Sequence, residues 1–306
     1  MKYFVINPKD ANGAEAFLKT NYDNTYGIEV VGRYADMVKV NLDPQHGGMG
    51  EKLNIAAARM AVNFSILPTN DTIFVISRVD PDALAAIVVL KDRASGKLNN
   101  EKGYPEDMAI RLDLLSSIDE FNKESWKPQR LPSKEEKWPN GFSKTYSAIA
   151  ALCFDFKTPI EDRIEGMRNY LYTGEVEEKY LKKVDEERDD FINKLETGEI
   201  KFSNEINPEI CLVETNTRYA SAVGYSVSPI FIGISDKFNF QGTEIRKVTV
   251  AQYCEGYLDM ENLQKELNTL EPGWGGPKNL LGSPMGYNCS ISKEDLLTLV
   301  ENNLLQ

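Results

Sequence analysis

Apolar residues in this chain change their spacing along its length, and the spacing predicts the elements. Residues 2–7 form a short apolar run. Residues 72–76 (TIFVI) are β-branched and aromatic without polar alternation, the pattern of a parallel strand covered on both faces. Residues 28–34 and 37–41 predict two more strands with a turn between them. Helical spacing alternates with these runs. It recurs over 14–20, over 52–67 (Leu53, Ala56, Ala57, Met60, Ala61 and Phe64, closed by Pro68) and over the apolar stretch 83–90. Such β–α alternation predicts a doubly wound parallel sheet.

Farther along, 94–104 reads as a loop, 106–122 and 146–154 as helices, and 126–142 as an exposed, proline-containing connection. Residues 159–195 are strongly charged, yet Ile164, Met167, Leu171, Tyr180, Leu181, Val184, Phe191, Ile192 and Leu195 keep helical spacing. Alternating charges of this kind decorate the solvated face of a helix. A boundary is expected over 198–208. Beyond it come β-rich runs at 210–214, 230–234 and 248–252, helical segments at 220–224 and 263–270, a glycine-rich loop over 271–284 and a closing helix over 293–304. The expectation is an α/β protein: a parallel-sheet N-terminal domain over 1–155, a helical connector over 156–204, and a smaller α+β C-terminal domain over 205–306.

Composition narrows the partners. The net charge of −12 over 306 residues argues against binding duplex nucleic acid, which depends on phosphate neutralisation. Cys153, Cys211, Cys254 and Cys289 lie far apart without metal-ligand spacing and are expected to be free thiols. No apolar run reaches membrane-spanning length and no signal peptide opens the chain, so a cytoplasmic protein with no membrane partner is expected.

Three stretches carry candidate chemistry. After the 72–76 strand come Arg78, Asp80 and Asp82, where open α/β sheets present ligand groups. Two carboxylates one residue apart can converge on a hard cation. Equally, Asp82 can N-cap the following helix with Pro81 shaping the turn, and the local sequence leaves both open. The loop 43–48 holds Asp43 and His46, the only histidine, a pair suited to a Mn²⁺-type site. In the loop 273–283, glycines let backbone approach an anion and Lys278 adds charge, although a structural turn plugged by Trp274 reads equally well. Arg218 is a candidate phosphate clamp or a surface ion-pair partner. No G-x-S-x-G elbow, Rossmann fingerprint or Walker A loop is present.

Together these segments resemble the DHH phosphoesterase superfamily with its C-terminal substrate-binding domain. RVDPDALAA looks like the family's first metal motif at Asp80 and Asp82. GWGGPKNLLGSP is similar to its glycine-rich loop, and DPQHGG to a reduced Asp-His-His triplet at Asp43 and His46. The resemblance implies Mn²⁺ (or Mg²⁺) held by Asp43, His46, Asp80, Asp82 and Asp119, with Asp113 an alternative to Asp119 and Asp155 a last ligand. Asp80, Asp82 and His46 would be catalytic. Arg78, Arg218, Gly275, Gly276, Lys278 and Asn279 would hold a small phosphorylated substrate or short oligonucleotide in an interdomain cleft, and a homodimer through the first domain is plausible for this architecture. The chain departs from the family in having Arg78 at the first ligand position, a single histidine, and a triplet that precedes the paired aspartates. Two expectations follow: a metal-dependent phosphoesterase, or a degenerate phosphate- or nucleotide-binding protein of the same fold. A structural or assembly protein is the third.

Overall fold

Four short strands, β1 (Lys2–Val5), β2 (Thr25–Ile28), β3 (Val40–Leu42) and β4 (Ile73–Ile76), form a parallel sheet in the order β1-β4-β2-β3. The computed structural model describes residues 1–7, 10–43, 56–98, 104–116, 126–138, 141–240, 242–276 and 278–305, and the backbone alone of 117–119. Two units separate: Met1–Phe121 with Asn140–Asp185, and Asn122–Pro139 with Glu186–Gln306.

In the first unit Val5 and Ile28 both lie opposite Ile76, and Leu42 lies opposite Ile28. The carboxyl ends of all four strands are therefore level. Helix α1 (Ala11–Asn21) buries Ala14 and Leu18 against Ile6, Val30, Val38 and Val75. Helix α3 (Pro81–Ala94) packs against α2 (Ala57–Asn63), α4 (Glu106–Asp119), α5 (Gly141–Cys153) and α6 (Ile160–Thr173). Its central position explains a sequence that is apolar all round: Leu84, Ile87, Val88, Val89 and Leu90 are fully buried. Each such side chain is worth about 1.5–3 kcal/mol on burial, which outweighs the lower helix propensity of the β-branched residues. Buried charges interrupt this core, Asp92 near the carboxyl end of α3 among them. Asp92 accepts a bond from Tyr172 Oη at 2.9 Å and is paired with Arg168, tying α3 to α6.

Helix α7 (Glu178–Glu196) starts in the first unit and ends in the second. The second unit is a mixed sheet, β5 (Lys201–Ser203), β6 (Ile210–Glu214), β7 (Ile230–Phe240), β8 (Thr243–Gln252) and β9 (Leu280–Gly282), hydrogen-bonded in that order. Only β6 and β7 are parallel, and α8 (Ala220–Val227) makes the crossover between them. One face of the sheet packs Ile210, Leu212, Ile230, Ile232, Ile234, Val248 and Val250 against α9 (Met260–Leu270), α10 (Lys293–Asn302) and Trp274. The other face packs Cys211, Val213, Phe231 and Ala251 against Val223 of α8 and Phe191 of α7.

The chain is thus α/β, with a parallel N-terminal sheet, a helical middle and a C-terminal mixed sheet. Details differ from the periodicity. The expected strand over 28–34 is instead β2 ending at Ile28 followed by a 3-10 turn, Gly32–Met37. The boundary expected over 198–208 contains edge strand β5. Within the stretch 156–204, α6 falls in the first unit, and α7 starts in the first and ends in the second. The stretch 126–138 is docked rather than free: Trp126 Nε1 donates to Tyr225 O at 2.7 Å, Gln129 N to Ser226 O at 2.9 Å, and Leu131 packs with the α8 cluster. An indole N–H and a leucine satisfy α8's neighbourhood without secondary structure, which periodicity does not register. Among the described residues no helix is long and apolar enough to cross a membrane.

Candidate functional site

The carboxyl edge of the first sheet gathers Glu29, Asp43, Ser77, Arg78 and Asp80, as expected for a parallel sheet. Glu29 has φ +50°, the only non-glycine residue with positive φ among those described. Asn41 holds this kink by accepting from Val30 N at 3.3 Å and donating to Val30 O at 2.8 Å. Gly27 leaves it room, because a Cβ there would lie 2.6 Å from Asn41 Oδ1.

Both aspartates after β4 bind backbone. Asp80 is the N-cap of α3, accepting from Ala83 N at 3.0 Å, with Pro81 in the first turn. Asp82, 3% exposed, reaches across to α2, where Ala57 N and Ala58 N donate to its two oxygens at 2.6 and 3.1 Å. The N-cap residue of α2 is Ala56, which has no capping side chain, so Asp82 supplies the missing acceptor from another helix. The capping alternative read from the sequence therefore belongs to Asp80 for α3, and Asp82 caps a different helix. Arg78 is exposed, with Nε 3.7 Å from Asp80 Oδ2 and its guanidinium above Phe154. Asp113 is paired with Arg59. Asp155 brackets a turn, accepting from Thr158 Oγ1 at 2.7 Å and Tyr180 Oη at 3.1 Å. The Thr158 hydroxyl first, then Tyr180, hold its carboxyl below the ordinary aspartate range against some desolvation. His46 lies outside the described residues, as does the side chain of Asp119. Among the described residues no three histidine, cysteine, aspartate or glutamate side chains gather to hold a metal ion.

The second unit holds a cavity of about 680 Å³ on the sheet face that carries α8. Its floor is Gly233 and Ser235 of β7 with Lys247 and Thr249 of β8, residues paired in register (Gly233 with Thr249, Ser235 with Lys247). Thr215, Thr217, Arg218 and Ser221 line one side, at the turn from β6 into α8. Phe231, Phe238, Leu280 and Met285 supply apolar wall. Gly273, Gly275, Gly282 and Ser283 of the glycine-rich segment close the other side. The pocket lies wholly within the C-terminal unit.

No protein-family model matches this chain, and no curated protein matches it.

The glycine-rich segment does not offer its amides as an anion cradle. Gly275 N donates to Gly282 O at 3.2 Å and Gly282 N returns to Gly275 O at 2.9 Å. Gly273 N and Trp274 N both donate to Asn268 Oδ1, and Ser283 N to Val248 O. Gly276 stands where a Cβ would lie 2.1 Å from Leu280 O, so its lack of a side chain serves the return of the chain. The structural-turn alternative accounts for these glycines, and Trp274 is buried in the core as the plug. Of the substrate-binding residues expected from the sequence, Arg218 and Gly275 reach the pocket wall; Arg78, Gly276, Lys278 and Asn279 do not. Lys278 is exposed, 3.7 Å from Glu255. Asn279 O accepts from Gln252 N at 3.0 Å. Arg218 is held by Glu187 at 2.9 Å, so it is an ion-pair partner and a pocket residue at once.

Periodicity held a signal for the residues that were missed. Lys247-Val248-Thr249-Val250 alternates strictly, and its polar positions face the pocket while its valines enter the core. Gly233-Ile234-Ser235 on β7 continues the alternation. Read as a row, these residues mark a strand pair with one wet face.

Proposed function

We propose that this chain binds a small phosphorylated ligand in the C-terminal pocket, as a divergent relative of the DHH phosphoesterases. The observation that carries the reading is the pocket itself: hydroxyls of Thr215, Thr217, Ser221 and Ser235 and two cationic side chains stand beside an apolar wall. Ligand sites are typically largely apolar clefts with a few placed polar groups, and phosphate oxygens accept from such hydroxyls and cations. The engagement of Asp80 and Asp82 with backbone amides supports binding over turnover. The test is calorimetric titration of the full chain with inorganic phosphate, phenyl phosphate and adenosine monophosphate. Binding of at least one, unaffected by chelator and leaving the ligand intact, is expected; no binding of any would overturn the reading.

Metal-dependent hydrolysis is the second reading. It is favoured by the placement of Asp43, Glu29 and Asp80 at one edge of the parallel sheet, with β2 between β3 and β4. In that reading Mn²⁺ or Mg²⁺ would be held by Asp43, His46, Asp80, Asp82 and Asp119. The described donors alone do not fit a metal site, because Asp82 already receives two amides and no third ligand joins the pair. Hydrolysis of an aryl phosphate diester that needs Mn²⁺ and stops with chelator would establish this reading, and D80N with unchanged turnover would remove it.

A further inference from the structure

We propose that Lys247 is the residue that recognises the phosphoryl group in the C-terminal pocket, and that position 282 is glycine to leave its ammonium room. The inference rests on the binding reading above and adds to it the group that reads the anion.

The amides of Gly273, Trp274, Gly275, Gly282 and Ser283 are already bonded within the protein, Lys278 lies off the pocket wall, and Arg218 carries Glu187 as counter-charge. Lys247 differs from all of them. It is half-buried on β8, lines the floor, and no carboxylate of the described residues lies within ion-pair distance of it. Its ammonium donates to a neutral acceptor, Ser283 O. An ammonium has three N–H groups, so further donors remain for a ligand. Glu271 acts on the ammonium from beyond ion-pair distance, and a ligand oxyanion in the cavity would supply the direct counter-charge that a partly buried cation favours.

Gly282 completes the arrangement. A Cβ there would stand 3.2 Å from Lys247 Nζ and 3.6 Å from its Cε. The neighbouring pairing of Gly282 with Gly275 and with Thr249 holds the backbone at that distance. On the other side Phe231, Phe238, Leu280 and Met285 offer an apolar surface, so the ligand class is a phosphate monoester carrying an apolar or planar body.

Electrostatics agree with the geometry. Burial lowers the Lys247 pKa from its ordinary value, while Cys289 and Glu271 pull it upward. The charged and titratable groups around it are thus Glu271 and Cys289 after α9, with Arg218 and its Glu187 across the pocket. A lysine with a lowered pKa loses its charge at a lower pH than a free one. Affinity for a phosphate dianion should therefore fall as pH rises through that lowered value.

The experiment titrates phenyl phosphate, inorganic phosphate and adenosine monophosphate into the intact chain and into K247M, K247R and G282A, each first checked for its native far-ultraviolet spectrum and melting transition. Expected is a loss of tenfold or more in affinity for K247M at pH 8, a smaller loss for G282A, and partial rescue by K247R. Between pH 8 and 10.5 the wild-type affinity should fall while K247R, whose guanidinium stays charged, holds its own. Wild-type binding with K247M unchanged overturns the Lys247 assignment and leaves the pocket reading standing. Wild-type binding of none of the three probes overturns both. Should K247M lose its native spectrum, the pH profile of the wild type against K247R decides: identical profiles overturn the assignment.

Discussion

At the scale of single residues, Asp82 shows how a carboxylate that looks catalytic is employed by the backbone. Ala57 and Ala58 are fully buried, and the Asp82 oxygens are acceptors for their amides. Leaving a buried donor unsatisfied costs about 1–3 kcal/mol. D82A is therefore expected to lower stability by at least that amount in urea denaturation, and D82N by less, since its amide oxygen keeps one bond. A D82A protein as stable as the wild type would contradict the capping role. D80A loses a single N-cap bond, worth typically about 1 kcal/mol. The role of Asp82 could not be resolved from sequence, because the donors it meets lie 25 and 24 residues away, whereas Asp80 caps through Ala83, three residues on.

At the scale of elements, two contacts decide how helices sit on their sheets and cores. Helix α8 rests on β7 through Gly224, where an added Cβ would lie 2.4 Å from Phe231 Cβ. G224A must push the helix from the strand, and such overpacking costs typically about 1–3 kcal/mol. Because Thr217, Ser221 and Phe231 all line the pocket, G224A should weaken ligand affinity together with the melting temperature. A fall in neither would show that α8 is not seated by this contact. In the first unit, Arg168 is the counter-charge of buried Asp92. R168M leaves that carboxylate uncompensated, and breaking one side of a buried pair costs about 3–5 kcal/mol. The measurement is a denaturant midpoint followed by far-ultraviolet circular dichroism; an unchanged midpoint would mean the pair is not buried as described.

At the scale of the whole molecule, the two units carry separate cores, and their probes separate as well. All three tryptophans, Trp126, Trp138 and Trp274, belong to the C-terminal unit. Tryptophan fluorescence therefore reports that unit, whereas far-ultraviolet circular dichroism reports both. A ligand at about one hundred times its Kd stabilises the species that binds it by about 2.7 kcal/mol. Phosphate ligand in the C-terminal pocket is expected to raise the fluorescence midpoint. If the units unfold independently, the circular dichroism curve shifts only in its C-terminal portion. A ligand that shifted the circular dichroism curve but not the fluorescence would place binding in the first unit instead.

The sequence by itself determined the fold class, the location of most helices, the parallel character of the first sheet and the place of Asp80 after a strand of that sheet. These follow from local periodicity and from the rule that parallel strands deliver side chains at their carboxyl ends. It left open what Asp82 and the glycine-rich segment do, and the tertiary structure decided both. Helix α2 lacks a cap of its own and takes Asp82, and the glycines bond to one another across a hairpin return. It also decided the character of the pocket, whose floor joins β7 and β8 and whose walls come from segments about 60 residues apart. A strand's alternation tells which residues share a face. Which face stays wet is settled only when α8, α9 and α10 have covered the rest.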